Sequence, residues 1–129
     1  MNFSPRILAA VALGGATGSL LRWGVETALP PASGAVPWAT LLVNVTGSAL
    51  LGAAVVLLGR GALRVGRRAF LTTGLLGGFT TFSTYAVQAV VLLHEAPVTA
   101  LVYALVTPVT CVAAAALAAA GVRRHVGAP

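Results

Sequence analysis

Four long apolar segments follow one another along the chain, separated by short links of polar or turn-forming residues. The segments cover about residues 7–29, 37–59, 69–93 and 97–120. Each is about 22–25 residues long, and roughly 20 apolar residues are enough for a helix to cross the hydrocarbon of a bilayer. The links are too short to form domains of their own. The pattern therefore predicts an all-α membrane protein, with a single domain of four transmembrane helices over residues 1–129.

The first segment could instead be a cleaved signal peptide. Small residues at 28–32 resemble a cleavage region, but Arg22 and Glu26 interrupt the apolar core. The apolar core of a signal peptide is also only about 7–15 residues long. We therefore interpret this segment as the first membrane span.

The composition agrees with a membrane protein and excludes nucleic-acid binding. Hydrophobic residues make up 58% of the chain and charged residues 8%, with a mean hydropathy of +0.97, whereas soluble domains carry roughly 25% charged residues. The formal net charge is +6, but binding to nucleic acid needs a basic face on a water-exposed domain. No stretch is long and polar enough to supply that face. Cys111, the one cysteine, has no partner for an internal disulfide.

The chain has few of the side chains that enzymatic chemistry needs. Its carboxylates are Glu26 and Glu95, and its histidines are His94 and His125. We expect His94 and Glu95 in a loop and His125 in the C-terminal tail. A metal site needs three or four converging ligands, and acid–base catalysis needs a positioned titratable pair. The sequence therefore predicts that the protein is not an enzyme.

Arginines are distributed very unevenly between the two sides of the predicted bundle. With four spans, both termini and the central link lie on the same side. That side carries seven arginines: Arg6, Arg60, Arg64, Arg67, Arg68, Arg123 and Arg124. The other two links carry none, and Arg22 lies within the first span. By the positive-inside rule, the pattern predicts a multi-pass protein of the cell membrane with both termini in the cytoplasm.

Uncharged polar side chains recur at helical spacing in the second and fourth spans. They are Thr40, Asn44 and Ser48 in the second span, and Tyr103, Thr107 and Thr110 in the fourth. Such groups can hydrogen-bond to an anion or to water. They can also join neighbouring helices through interhelical hydrogen bonds. Both interpretations are open on this pattern alone.

The first span combines a face of small residues with one charge pair. Gly14 and Gly18 are four residues apart, which is typical of close helix packing. Arg22 continues the same stripe. It either pairs with Glu26 one turn later and reaches the interface, or provides a fixed positive charge that draws anions into an aqueous mouth.

The third span contains residues that are poor helix formers. Gly74, Gly77 and Gly78 precede a run of hydroxyl and aromatic residues at 79–85. We expect a helix break there, which would free backbone carbonyls able to coordinate a cation.

Two sets of side chains follow in the same span. Phe82 and Tyr85 share a face, so their electropositive ring edges could line a path for a small anion, although ordinary packing is the alternative. Thr81, Thr84 and Gln88 form a neighbouring polar stripe.

These residues resemble the signature of the CrcB/Fluc fluoride channels. The most specific motif is Gly77-Gly78-Phe79-Thr80-Thr81-Phe82-Ser83-Thr84. The first two spans are also similar to the family, from Gly14-Gly15 through Gly18 to Arg22-Trp23, and from Trp38 through Thr40, Asn44 and Gly47-Ser48 to Gly52. The resemblance covers essentially the whole chain.

The resemblance implies an antiparallel dimer of two four-helix subunits in membrane lipid. Such a dimer has two fluoride pores, and a structural sodium ion at its centre that is not transported. Fluoride would flow passively down its electrochemical gradient and so leave the cytoplasm, which reduces its toxicity. A narrow pore with compact donors and ring edges suits fluoride, which is small and strongly hydrated.

The resemblance also implies roles for single residues. The backbone carbonyls of Gly77 and Thr80 would hold the sodium, and Arg22 would lie in a vestibule. The fluoride path would be lined by side chains of three spans: Asn44, Phe82, Ser83, Thr84, Tyr85, Gln88, Tyr103 and Thr107.

Two positions depart from the family pattern. Tyr85 stands where a second phenylalanine is usual, and Gln88 where a glutamate is frequent. A phenol still offers a ring edge but adds a competing hydroxyl, and the amide lacks an ionisable carboxylate. Because the arginine bias also fixes one orientation, we hypothesise that the chain is the N-inside half of a heterodimer with a related N-outside paralogue.

Two other functions fit parts of the pattern. A small proton-coupled multidrug transporter needs a carboxylate deep in the bilayer, and Glu26 is the only candidate. A non-conducting structural membrane subunit would account for the small-residue faces. It accounts poorly for the break motif and the polar stripes.

Overall fold

The computed structural model describes residues 4–59, 61 and 63–126, and these residues are helical apart from the links and one break. The elements in chain order are α1 Pro5–Ala28, α2 Trp38–Gly59, α3 Val65–Ala69, a π-helix Phe70–Leu76, α4 Gly77–Phe79, α5 Phe82–Glu95 and α6 Pro97–Val126. Within this part of the chain, four stretches are long and apolar enough to cross a membrane: Pro5–Ala28, Trp38–Gly59, Val65–Glu95 and Pro97–Val126. The predicted all-α membrane fold class is confirmed. We call Val65–Glu95 the third span.

The expectation of a loop at His94 and Glu95 and of a tail at His125 was wrong, because helices continue through these residues. His94 and Glu95 form the end of α5, and His125 lies in the last turn of α6. The helix α5 ends at Glu95 because Ala96 precedes a proline, and the residue before a proline is disfavoured in the α conformation. Pro97 is well placed to begin the next helix. Basic residues in the last turn of α6 favour its continuation, since they face the negative end of the helix dipole.

The third span is interrupted at Thr80 and Thr81. Both residues are extended, with φ/ψ of −77°/154° and −145°/122°. The expected break is therefore present, and it follows the glycine pair instead of lying on it, since Gly77 is still helical with φ −66°. β-Branched threonines lower helix propensity only slightly, and Thr72 and Thr73 in the same span stay helical, so the extended backbone is held by the side-chain hydrogen bonds of Asn44 and Thr81.

Glycines let α1 lie directly on the backbone of the third span. A Cβ atom added to Gly14 would collide with the carbonyl oxygen of Phe70, and one added to Gly18 with that of Leu75. From the opposite side, a Cβ on Gly78 would collide with the carbonyl oxygen of Gly15. The predicted packing face of the first span is thus present. The π-helical turns at Phe70–Leu76, which face it, were not expected from the sequence.

The helices α2 and α6 run side by side in the same direction. Gly52 lies against the backbone of Ala115, and Thr40 lies near Tyr103, so the residue numbers rise together along both helices. Thr40, Val43 and Tyr103 are the most completely buried large side chains that the structure describes. The interrupted third span packs against this pair of helices.

Candidate functional site

A groove of about 380 Å³ lies between α2, the third span and α6. Six of the eleven residues predicted for the site line it: Asn44, Gly77, Thr80, Phe82, Tyr85 and Thr107. Ser48 and Thr81, from the predicted polar stripes, line it as well, whereas Arg22, Ser83, Thr84, Gln88 and Tyr103 do not. Among the described residues, no charged side chain belongs to its lining. The groove therefore offers hydroxyls, one amide, backbone and aromatic rings, but no formal charge.

Asn44 holds the break in the third span. Its Nδ2 donates to the carbonyl oxygen of Thr81 at 2.9 Å, and its Oδ1 accepts from the backbone N–H of Thr81 at 2.8 Å. Asn44 is buried, with 8% of its surface exposed. These two bonds replace the helical hydrogen bonds that an extended residue cannot make, which a buried backbone requires.

Thr81 then begins the second half of the third span. Its Oγ1 accepts from the backbone N–H of Thr84 at 3.1 Å, as an N-cap side chain does. The same oxygen is 3.0 Å from the Thr84 hydroxyl and 3.3 Å from that of Ser83. The three hydroxyls of residues 81, 83 and 84 thus meet at the N-terminus of α5, where the helix dipole favours negative charge.

Three aromatic rings form a row beside these hydroxyls. The ring centroids of Phe82 and Tyr85 are 5.6 Å apart and those of Tyr85 and Tyr103 5.3 Å apart, at interplanar angles of 52° and 54°. Tilted rings place an edge of one ring towards the face of the next. The Tyr85 hydroxyl donates to the carbonyl oxygen of Ala104 at 2.6 Å. It is thereby engaged by backbone, which explains how a phenol can stand at a position where phenylalanine is usual.

The polar stripe of α6 continues from the groove to Gln88. The Tyr103 hydroxyl donates to Gln88 Oε1 at 3.0 Å. The hydroxyl oxygen of Thr107 is buried and has no hydrogen-bond partner among the described residues, whereas that of Thr40 is buried beside the Tyr103 hydroxyl. An unsatisfied buried polar group costs roughly 1–3 kcal/mol, so the Thr107 hydroxyl is a position where a water or an ion gains a partner. Thr40 was part of the predicted stripe but not of the predicted path.

Arg22, on α1, contacts the third span but does not line the groove. Its Nε donates to the carbonyl oxygen of Gly78 at 3.4 Å, and its guanidinium is 3.6 Å from the Glu26 carboxylate. Ser19 Oγ donates to the same carbonyl at 3.4 Å. The predicted pair with Glu26 is present, and the contact with the third span was not foreseen.

Gly77 and Thr80 present backbone oxygens at the break. Within the described part of the chain, no donor reaches the carbonyl oxygen of either residue, and both residues line the groove. Carbonyl oxygens suit hard cations. The described residues contain no cluster of three or more His, Cys, Asp or Glu side chains that could hold a metal ion.

The chain is similar to one described protein family and to several named proteins. The family model described as "CrcB-like protein, Camphor Resistance (CrcB)" matches residues 9–121. A protein of Streptomyces coelicolor named fluoride-specific ion channel FluC 1 is 42% identical over 121 residues, covering 92% of this chain and 78% of that protein. A fluoride-specific ion channel FluC of Thermus thermophilus is 49% identical over 96 residues, covering 73% and 77%. FluC 2 of Nocardia farcinica is 46% identical over 95 residues, covering 73% and 68%.

Proposed function

Because the chain belongs to the CrcB-like family, we propose that it is a fluoride-selective ion channel of the cell membrane. Its similar relatives from three organisms are named fluoride-specific ion channels. Channels of this kind catalyse no reaction, in keeping with the few titratable side chains of the chain.

One observation carries the proposal: the rings of Phe82 and Tyr85 stand beside the Asn44-held break in a groove without charges. Fluoride is small and holds its hydration water strongly, so a selective path must replace that water with compact donors. Hydroxyls, N–H groups and ring edges can do so in a narrow space. A fixed arginine in the path would instead bind the anion too strongly for rapid release.

We further propose that a second subunit of the same fold, in the opposite orientation, completes the path. Phe82 is 80% exposed in the single subunit, and the groove is open on that side. A bulky ring standing out from an uncharged groove is a surface that a second subunit would cover. In this arrangement the second subunit closes the open side of the groove, where the Phe82 ring stands exposed.

Sodium at the centre of the dimer is part of the same proposal. The unpaired carbonyl oxygens of Gly77 and Thr80 fit a hard cation, and once a second subunit covers this surface, carbonyls without a donor would otherwise be costly. Two oxygens per subunit are fewer than such an ion binds, so the opposed subunit has to supply the others. The ion is structural and supplies a positive charge near the anion path.

The direction of flow follows from the gradient alone. Among the described residues, the groove lining holds no charged side chain that could bind a nucleotide. Glu26, the carboxylate considered for proton coupling, is paired with Arg22. That pair also argues against the proton-coupled transporter, whose carboxylate has to exchange protons freely. Fluoride entering as the weak acid would therefore leave the cytoplasm as the anion.

We propose a heterodimer in the cell, because the chain favours one orientation. Arginines lie in the first turn of α1, at the start of the third span and in the last turn of α6, and Arg60 lies outside the described residues. Two relatives carry numbered names, FluC 1 and FluC 2, which is consistent with paired paralogues. Reporter fusions at the C-terminus should label the cytoplasmic face alone. Equal labelling of both faces would contradict the fixed orientation.

The channel is tested by fluoride efflux from liposomes, read with a fluoride electrode and with chloride as the control ion. Two preparations are compared: the purified chain alone, and the chain with a family member of opposite arginine bias. We expect fluoride efflux without chloride efflux in the paired preparation. No fluoride efflux above empty liposomes in either preparation would contradict the proposal. Fluoride efflux from the chain alone would contradict the heterodimer proposal but support the channel proposal.

A further inference from the structure

A second cavity, of about 320 Å³, lies outside the groove. It is enclosed by the link between α1 and α2 on one side and by the last three turns of α5 on the other, and we call it the loop cavity. Val87, Val91 and Leu92 form its apolar wall, Gln88 marks its inner end and Glu95 its outer end. It lies at the end of the bundle that is opposite the arginine-rich link.

Gln88 connects the loop cavity with the polar stripe of the groove. Its Oε1 accepts the Tyr103 hydroxyl, so its amide NH₂ is the group left to face other partners. Among the described residues, this NH₂ has no acceptor. Tyr103 in turn stacks on Tyr85, which lines the groove. A continuous series of polar groups and ring edges therefore leads from the break to the loop cavity.

Glu95 closes the far end of the cavity by holding the link. Its Oε2 accepts from the Ser33 hydroxyl at 3.1 Å and from the backbone N–H of Gly34 at 2.9 Å. Gly34 has φ +68°, a conformation that side-chain-bearing residues rarely adopt, so the turn presents its N–H in a fixed direction. Within the described residues, no cation pairs with Glu95. The carboxylate therefore fixes the shape of the link and also leaves a negative charge there.

We propose that the loop cavity is a mouth of the anion path, and that Glu95 is the positioning residue that shapes this mouth and sets its charge. The inference rests on the proposed function. Gln88 and Glu95 are seven positions apart on α5, which corresponds to about 10 Å along the helix. At that distance a single charge lowers the local concentration of an anion by about twofold in dilute salt and has little effect in concentrated salt.

The first test fills the cavity. Val91→Trp places an indole in the loop cavity, and Val90→Trp is the matched control, because Val90 is equally exposed on α5 but does not line the cavity. In the liposome preparation that conducts, we expect Val91→Trp to lower fluoride efflux by at least fivefold and Val90→Trp to leave it within twofold. Equal efflux from both variants would overturn the proposal.

The second test removes the charge and leaves the cavity open. Glu95→Gln keeps an oxygen that can accept from Ser33 and Gly34 but is neutral. We expect about twofold faster fluoride flux than in the unmodified chain at about 0.01 M ionic strength, and no difference at about 1 M. His94→Gln, one residue away and outside the cavity lining, should change neither. An effect of Glu95→Gln that is absent, or equal at both ionic strengths, would overturn the assignment of Glu95.

These outcomes differ from a failure of the proposed function. If the unmodified chain conducts and the variants behave alike, only the mouth assignment is wrong. If no preparation conducts fluoride, the channel itself is wrong. Glu95→Gln adds no bulk, so it decides the proposal even where Val91→Trp prevents assembly.

Discussion

At the scale of single residues, the Asn44 amide makes two hydrogen bonds to the backbone of one residue, Thr81, in the gap between α4 and α5. Sequence spacing placed Asn44 on the polar face of α2 but gave no reason to pair it with a residue 37 positions later. The pairing depends on a tertiary contact, because only the packed bundle brings α2 to the break. The spacing therefore indicated the polar face of α2, whereas the contact with Thr81 follows only from the packed bundle.

Replacing Asn44 with alanine should remove both bonds and leave the Thr81 N–H and carbonyl unsatisfied. We expect a loss of about 2–6 kcal/mol in unfolding free energy, at about 1–3 kcal/mol for each buried group, and at least a tenfold loss of fluoride efflux. Thermal unfolding in detergent and liposome efflux measure the two effects.

The matched control for Asn44→Ala is Thr46→Ala on the same helix. The Thr46 hydroxyl is exposed and bonds only to carbonyls of its own helix, Leu42 at 2.6 Å and Val43 at 3.3 Å. Its loss should change stability by about 0.5 kcal/mol or less. If both alanine variants unfold and conduct alike, Asn44 does not hold the break.

Variants of Phe82 and Tyr85 separate the contribution of a ring edge from that of a hydroxyl group. We expect Phe82→Ile to abolish fluoride efflux while the complex still assembles, because isoleucine fills space without a ring edge. Tyr85→Phe should keep efflux within about twofold, because the lost hydroxyl is engaged by the Ala104 carbonyl and a ring edge remains. Efflux and size-exclusion chromatography measure flux and assembly. Normal flux from Phe82→Ile would show that the exposed ring does not line the path.

At the scale of elements, the third span differs most from a sequence expectation. Its glycines and hydroxyls predicted a break, yet the glycines at 77 and 78 stay helical and the threonines at 80 and 81 become extended. Gly78 is used for close approach to α1. Low helix propensity therefore indicated the right region, whereas the position of the break depends on Asn44 and on the Thr81 cap. The π-helix of Phe70–Leu76 left no recognisable sequence signal.

The packing of α1 on the third span can be tested with two glycines of α1. Gly18→Ala should destabilise the subunit by about 1–3 kcal/mol, since the added methyl collides with the carbonyl of Leu75. Gly24→Ala meets no atom within 4 Å and should stabilise the helix by up to about 1 kcal/mol. Thermal unfolding of both variants measures the difference. A Gly18→Ala variant as stable as Gly24→Ala would mean that the helices do not approach so closely.

At the scale of the whole molecule, many large apolar side chains are exposed in the single subunit, among them Leu13, Phe82 and Leu117. The four spans place most of them against lipid, as hydropathy alone predicted. Hydropathy could not predict which exposed side chains would face a second subunit, because lipid and an apolar partner select the same residue types. In the proposed dimer, the open groove with its unpaired carbonyls would be part of that surface.

The sodium proposal predicts that the assembled dimer depends on the cation. Replacing sodium with N-methylglucamine should lower the melting temperature of the dimer. At a sodium concentration 100 times its dissociation constant, the bound ion stabilises the dimer by about 2.7 kcal/mol, and this stabilisation would be lost. Thr80→Ala should keep this dependence, because the proposed ligand is the backbone carbonyl and not the Thr80 hydroxyl, which donates to the Leu76 carbonyl. Identical melting temperatures in both cations would contradict the site.

The measurement that tests the central claim most directly is the reversal potential of the current in a planar bilayer. The conducting preparation is placed between solutions with a tenfold fluoride gradient and equal chloride. Passive, fluoride-selective conduction predicts reversal at the fluoride equilibrium potential, about 59 mV from zero, and no current when chloride replaces fluoride. Reversal near zero, or an equal chloride current, would contradict the account.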